Sequence, residues 1–204
     1  MIYALPGMGA DSRMYAGAWR TLPDCRFVDW PTYRSEDSIA AMAKRITAEQ
    51  KVQAGDVLIG SSLGGIVACE MAKLTPVSRL VLIGAAKKKE EISGFLSVIH
   101  PLIDLTPLTF LQRLAGKLPS DVARMFSQGQ AEFIRAMCRA IFDWDGLGDR
   151  PVSLLRIHGS QDRVIPLPAG IQHVLDGGHL IVMTHSQECV DIIRNSQMPQ
   201  PPSS

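Results

Sequence analysis

The sequence predicts an α/β fold: a mostly parallel, open sheet of about six strands flanked by helices, with a helical cap inserted at 87–148. Three observations carry this expectation. Short apolar runs alternate with helical patterns. Two of the runs, Val57-Leu58-Ile59 and Leu80-Val81-Leu82-Ile83, are apolar at consecutive positions, as strands buried on both faces require. The alternation stops from 87 to 148, where helical patterns broken by prolines take its place.

The elements follow in order. Ile2-Tyr3-Ala4-Leu5 is a first strand closed by Pro6-Gly7-Met8-Gly9, and a segment carrying Met14, Trp19 and Leu22 reads as a helix leading to a strand over 25–30. Ser35-Glu36-Asp37 supplies a cap and first-turn acids, and Ile39, Met42, Ala43 and Ile46 share one helical face. A strand over 56–60 runs into Ser61-Ser62 and a helix from Leu63 to about Leu74, and a strand over 79–84 follows. From 87 to 148 the pattern breaks at His100-Pro101, Thr106-Pro107 and Leu118-Pro119. Its apolar residues (Phe95, Leu96, Ile99, Leu102, Phe110, Leu111, Met125, Phe126, Phe133, Met137 and Trp144) read mostly as core, with some lining a pocket. A longer helix over 130–143 gathers Phe133, Ile134, Met137 and Ile141. The sheet resumes at 154–158, gains a strand over 171–175, and is followed by a helix over 186–195. The organisation expected is a core of 1–86 and 149–196, an inserted helical cap of 87–148 and a disordered tail of 197–204.

A chain of 204 residues with 46% hydrophobic content can bury one sizeable core. Lysine and arginine (21) nearly cancel aspartate and glutamate (20), which argues against nucleic acid or an anionic membrane surface as partner and for a small-molecule ligand. Cys25, Cys69, Cys138 and Cys189 form no C-x-x-C pair, so neither a zinc site nor a redox dithiol is expected, and free thiols in a reducing compartment are the plain reading. The N-terminus lacks a basic region followed by a long apolar stretch; no signal peptide or membrane span is expected, and a cytoplasmic location follows.

The chemistry begins at Gly60-Ser61-Ser62-Leu63-Gly64. A serine flanked by glycines two residues away, between a buried strand and a helix, is the pattern of a nucleophile elbow. Ser61 fits less well, because Gly60 then lies next to it. A serine hydroxyl needs a base to take its proton and a carboxylate to orient that base. Asp162, in His158-Gly159-Ser160-Gln161-Asp162, follows a buried strand, and His179, in Asp176-Gly177-Gly178-His179, follows the last one. The order Ser62, Asp162, His179 suits the architecture. For Asp162, capping a turn or pairing with Arg163 is the other reading, and an acid after the preceding strand is the alternative. His158 reads as a structural residue at a strand end; His100, His173 and His185 read as structural or exposed. The oxyanion needs two donors: the backbone N–H of Leu63, at a helix N-terminus, and that of Met8, in the glycine-rich loop after the first strand.

These motifs resemble the α/β-hydrolase superfamily, over a core from Ile2 to about Asn195, and within it the small esterase and thioesterase branch, including carboxylesterases and esterases of acyl-carrier-protein substrates. Where that family often has His-Gly-x-Gly after a strand, this chain has Pro6-Gly7-Met8-Gly9. The chain starts in what resembles the family's third strand, which implies a smaller sheet, and the short stretch from Asp162 to His179 implies that the helix usual there is shortened or missing. The resemblance implies a serine hydrolase acting on a small carboxylic ester or acyl thioester through an acyl-enzyme, with no metal or organic cofactor. The serine disfavours dehalogenase and epoxide hydrolase chemistry, for which the resembling families use aspartate. Lys87-Lys88-Lys89-Glu90-Glu91 reads as a solvated helix start, with recognition of an acyl carrier protein as the alternative. The other functions open are a ligand-binding or sensor protein without turnover, and a cofactor-free lyase or oxidase using the same three residues.

Overall fold

The inner apolar runs become strands because they can bury both faces between helices, whereas the two edge strands stay half-exposed. The computed structural model describes residues 1–92 and 131–196. Its strands are β1 (Ile2–Leu5), β2 (Cys25–Phe27), β3 (Val57–Ser61), β4 (Arg79–Ile83), β5 (Ser153–Gly159) and β6 (His173–Leu175). They form one six-stranded sheet in the order β2-β1-β3-β4-β5-β6, parallel at every pairing. The register sets Leu5 beside Gly60, Ser61 beside Ile83, Ile83 beside Ile157 and Gly159 beside Leu175. The strands therefore end together, and the loops after β1, β3, β4, β5 and β6 gather at one edge. The order reverses between β1 and β3, which opens a crevice at that edge where the two connections leave in opposite directions.

The helices are α1 (Ile39–Gln50), α2 (Leu63–Leu74), α3 (Ala131–Phe142), α4 (Ile181–Thr184) and α5 (Ser186–Asn195). In α2 every residue from Leu63 to Ala72 is buried, packed against α1, β1, β3 and β4. Helix α1 buries the expected Ile39, Met42, Ala43 and Ile46. Its cap differs from the expectation: the Ser38 hydroxyl accepts from the Ala41 N–H at 3.2 Å. Ser35 lies at φ 65°, and the Glu36 carboxylate serves the Arg34 N–H and the Arg45 guanidinium instead.

Three further expectations need correction. The segment between β1 and β2 is two 3₁₀ turns, Ser12–Met14 and Gly17–Thr21, broken where Gly17 takes φ 61°; Met14, Trp19 and Leu22 are nonetheless buried. Strand β2 stops at Phe27, and Trp30 turns its indole towards the loop after β1. Strand β6 starts at His173 because the Gln172 side chain takes up the edge of β5, accepting from the Arg156 N–H at 3.0 Å and donating to the Leu154 carbonyl at 3.2 Å. No helix forms between Asp162 and His179.

Of the segment expected as a cap, residues 93–130 lie outside the described residues, as does the tail 197–204. Phe95, Leu96, Ile99, His100, Leu102, Phe110, Leu111, Met125 and Phe126 fall there. Both described ends of the insertion are anchored. Glu91 is not solvated: its carboxylate meets the buried Arg156 guanidinium through two bonds of 3.1 and 2.7 Å and accepts the Lys87 N–H at 2.9 Å. Lys88, Lys89 and Glu90 are exposed, as expected. At the other end the Leu147 N–H donates to the Lys87 carbonyl at 2.8 Å, and the Trp144 indole donates to the buried Glu70 at 2.8 Å. Helix α3 lays Phe133, Ile134, Met137 and Ile141 into the core. Among the described residues no helix is long and apolar enough to cross a membrane.

The tightest packing is where β3 crosses α2. A Cβ on Gly60 would stand 2.4 Å from the Gly64 carbonyl oxygen and from the Gly65 Cα. Gly60→Ala is expected to cost about 1–3 kcal/mol or more, since rigid backbone must yield. Urea unfolding of the variant reads this as a lower midpoint; an unchanged midpoint would show that the crossing is looser than described.

Candidate active site

The turn out of β3 places Ser62 at φ 51° and ψ −119°, a backbone conformation that a residue with a side chain rarely adopts. It is held because its N–H donates to the Ile83 carbonyl at 3.2 Å while its own carbonyl accepts from Gly65 and Ile66 at 2.9 and 3.2 Å. The hydroxyl is thereby lifted to the sheet edge. Its oxygen lies 2.9 Å from Nε2 of His179, whose Nδ1 lies 2.8 Å from Oδ2 of Asp162. Three residues far apart in the chain thus form one hydrogen-bonded line.

The His179 loop reaches this position because the end of β5 lets it in. A Cβ on Gly159 would lie 2.3 and 2.4 Å from the Gly177 and Gly178 carbonyl oxygens. On the other side of β5's end, Asp162 turns inward, its side chain fully buried. Four donors surround its two oxygens. Oδ1 accepts the Val164 and Ile165 N–H groups at 2.8 and 3.0 Å. Oδ2 accepts from His179 and lies 3.2 Å from Nε2 of His158. Burial opposes the charge on Asp162, but the hydrogen bonds from His158 and His179, the attraction of His179 and the Ile165 N–H outweigh it, and the carboxyl is held well below the usual carboxylate range. An ionised carboxylate can only accept, so the proton of His179 sits on Nδ1, leaving Nε2 to accept from the Ser62 hydroxyl.

His158 is the residue whose contact the sequence reading missed. It is structural at a strand end, as expected, yet its buried Nε2 also bonds the Ile165 carbonyl at 2.8 Å. Both neighbours of that nitrogen are acceptors, so it carries a proton, which is donated to the Ile165 carbonyl and shared with Asp162 at 3.2 Å. The signal was present as a histidine four residues before the acid in one turn. Ser61 ends β3 and is buried. His173 lies on β6, and Nδ1 of His185 lies 2.8 Å from the Thr184 hydroxyl; neither joins the line to Ser62.

The two expected backbone donors flank Ser62. Leu63 opens α2, and the loop after β1 lies against the serine: a Cβ on Gly7 would stand 3.7 Å from that of Ser62. Among the described residues neither the Leu63 nor the Met8 N–H has a protein acceptor. No group of three or more His, Cys, Asp or Glu that could hold a metal occurs among those residues. The four cysteines are free, and burial pushes the thiols of Cys25, Cys138 and Cys189 up to about 12, which leaves them protonated and unreactive near neutral pH.

A family model described as the Alpha/beta hydrolase family matches residues 2–192. This chain belongs to that family. No curated protein matches it. Among solved structures, this family member is similar to a thermophilic esterase from Thermogutta terrifontis, at 17% identity and a TM-score of 0.75, over 96% of this chain and 88% of that one. It is also similar to an esterase from Exiguobacterium antarcticum, at 19% identity and a TM-score of 0.74, over 96% and 90% of the two chains. A mutant of an epoxide hydrolase from Bacillus megaterium matches at 14% identity and a TM-score of 0.72, over 95% and 92%. At such identities the likeness speaks to the fold, which hosts more than one chemistry.

A carboxylate whose folded value is depressed stabilises the fold above its unfolded value, near 3.9, and the contribution is lost as pH falls through the lower folded value. Asp162→Asn is therefore expected to melt below wild type by a constant margin above about pH 5, a margin that shrinks below about pH 4. Thermal melts across this range check it; a margin independent of pH would mean that the charge contributes nothing.

Proposed function

We propose that this protein is a serine hydrolase that cleaves a small carboxylic ester or an acyl thioester through an acyl-enzyme. The observation that carries the reading is the unbroken line from the Ser62 hydroxyl through His179 to the ionised Asp162, at 2.9 and 2.8 Å. The Ser62 oxygen attacks the acyl carbon as its proton passes to Nε2 of His179, and the carbonyl π pair moves onto oxygen. Asp162 offsets the imidazolium charge and keeps the ring in register. The oxyanion is met by the N–H groups of Met8 and Leu63, the second strengthened by its place at the N-terminus of α2. Collapse expels the alcohol or thiol, which leaves with the proton from His179. Water then enters with His179 as base and releases the acid.

The acyl group lies in the crevice at the sheet edge, beside the loop after β1. The serine at the elbow supports acyl transfer over ring opening of an epoxide, since an ester formed on serine is hydrolysed by the same base that formed it.

Ser62→Ala is expected to lower turnover of p-nitrophenyl esters roughly 10⁴–10⁶-fold and to abolish labelling by a fluorophosphonate. Full activity in that variant, or labelling at another residue, would overturn the reading. A panel of oxygen esters and acyl thioesters of increasing chain length, free and carried on an acyl carrier protein, assigns the leaving group. Asp162→Asn should cost about 10⁴-fold in kcat with little change in KM, because His179 loses the partner that sets its tautomer.

A further inference from the structure

The loop that offers the Met8 N–H is Pro6-Gly7-Met8-Gly9, and glycine at position 7 leaves the following peptide group free to rotate unless something holds it. A peptide group is planar, and here trans, so the Gly7 carbonyl and the Met8 N–H point in opposite directions from one rigid plate. Whatever holds the Gly7 oxygen therefore aims the Met8 N–H. Two donors hold it: the Trp30 indole N–H at 3.0 Å and the Ala10 N–H at 3.1 Å. The Ala10 bond is part of the same turn and would move with it. The Trp30 bond comes from the chain beyond β2, outside the loop.

Trp30 is itself held. Its ring lies 5.1 Å from the Phe133 ring of α3, centroid to centroid, and Phe133 is buried. The indole is thus wedged between the inserted segment and the loop, with its one polar atom on the Gly7 carbonyl. Were the Gly7–Met8 peptide to flip, the carbonyl oxygen would face the developing oxyanion and repel it, and the indole N–H would lose its partner. A hydrogen bond at the carbonyl end of a peptide also polarises the N–H at the other end, making it a better donor.

From this geometry we infer that Trp30 is a positioning residue for the oxyanion hole: its indole N–H, bonded to the Gly7 carbonyl, locks the Gly7–Met8 peptide with the Met8 N–H facing the reacting carbonyl. The inference rests on the acyl-transfer reading above. It also links the insertion to the chemistry, because the Phe133 contact sets the position of the indole.

The test removes the N–H and keeps the ring. Trp30→Phe, and in parallel replacement of Trp30 by benzothienylalanine, which puts sulfur in place of the N–H in a ring of nearly the same shape, are assayed on a short p-nitrophenyl ester. The expected result in both is a fall in kcat of about 10-fold, a fraction of what loss of an oxyanion donor costs, with KM within about two-fold of wild type. The inhibition constant of a trifluoromethyl ketone, whose adduct on serine carries the same oxyanion, should rise by the factor by which kcat/KM falls. A residue that merely fills space would move neither quantity in the benzothienylalanine protein, which keeps the packing. Unchanged kcat and ketone affinity in that protein overturn the inference, as does a change confined to KM. Ser62→Ala run alongside separates the two claims: if it is inactive while the benzothienylalanine protein turns over like wild type, only the role of Trp30 falls. If Ser62→Ala is active, the acyl-transfer reading falls and takes this inference with it.

Discussion

Strand β3 and helix α2 cross with backbone against backbone, and the placement of Ser62, Leu63 and the loop after β1 follows from that contact. The Gly64 carbonyl and the Gly65 Cα occupy the space that a side chain at position 60 would need. Closing the distance forces the chain to reverse within one residue, and that residue, Ser62, is driven to a positive φ. Such a conformation costs of order 1–3 kcal/mol and persists only where the surroundings over-determine it. Here they do: β3 lies between β1 and β4, and α2 is buried along most of its length. The same crossing presses the Leu5 and Pro6 carbonyls against Gly64 and brings the loop after β1 beside the serine. One tight contact thus exposes the hydroxyl, aims the helix N-terminus and delivers the neighbouring loop.

The second constraint is electrostatic. A buried carboxylate is costly unless its lone pairs are met, and Asp162 meets all of them with two backbone N–H groups and two imidazoles. This arrangement keeps the charge where His179 needs it and keeps the carboxyl from swinging. A second buried pair, Arg156 with Glu91, stands one strand-end away and does different work. Its fork geometry joins β5 to the root of the insertion, so the point where the chain leaves the sheet is held by a paired charge that would be expensive to separate.

The described part of the insertion is joined to the core through polar and sulfur contacts as well as apolar packing. Trp144 reaches Glu70 on α2, the Cys138 thiol lies 3.6 Å from the Met8 sulfur, and Phe133 packs on Trp30. Two of these three contacts end on the loop after β1 or on the residue that holds its carbonyl. The described part of the insertion is in this way attached to the loop that lies beside Ser62.

Much of this was legible in the sequence. The six apolar runs, the glycines around Ser62, and Asp162 and His179 on glycine-containing turns are local patterns, and each local pattern has one economical solution in an α/β sheet. Helix α5 spans Ser186–Asn195 and helix α2 spans Leu63–Leu74, where the sequence had placed them. The readings that needed changing were those decided by distant partners: β2 ends early because Trp30 turns to Gly7, β6 starts late because Gln172 caps the edge of β5, and Glu91 is buried because Arg156 awaits it. His158 is structural, as expected, but its contact with Asp162 exists only once the loop after β5 folds back onto it. The sequence by itself determined the fold class and singled out Ser62, Asp162 and His179, because periodicity and turn chemistry act over a few neighbouring residues. Only the tertiary structure decided which of them touch, which carboxylate is ionised and what orients the Gly7–Met8 peptide, because hydrogen bonds and burial depend on chain segments that meet only after folding.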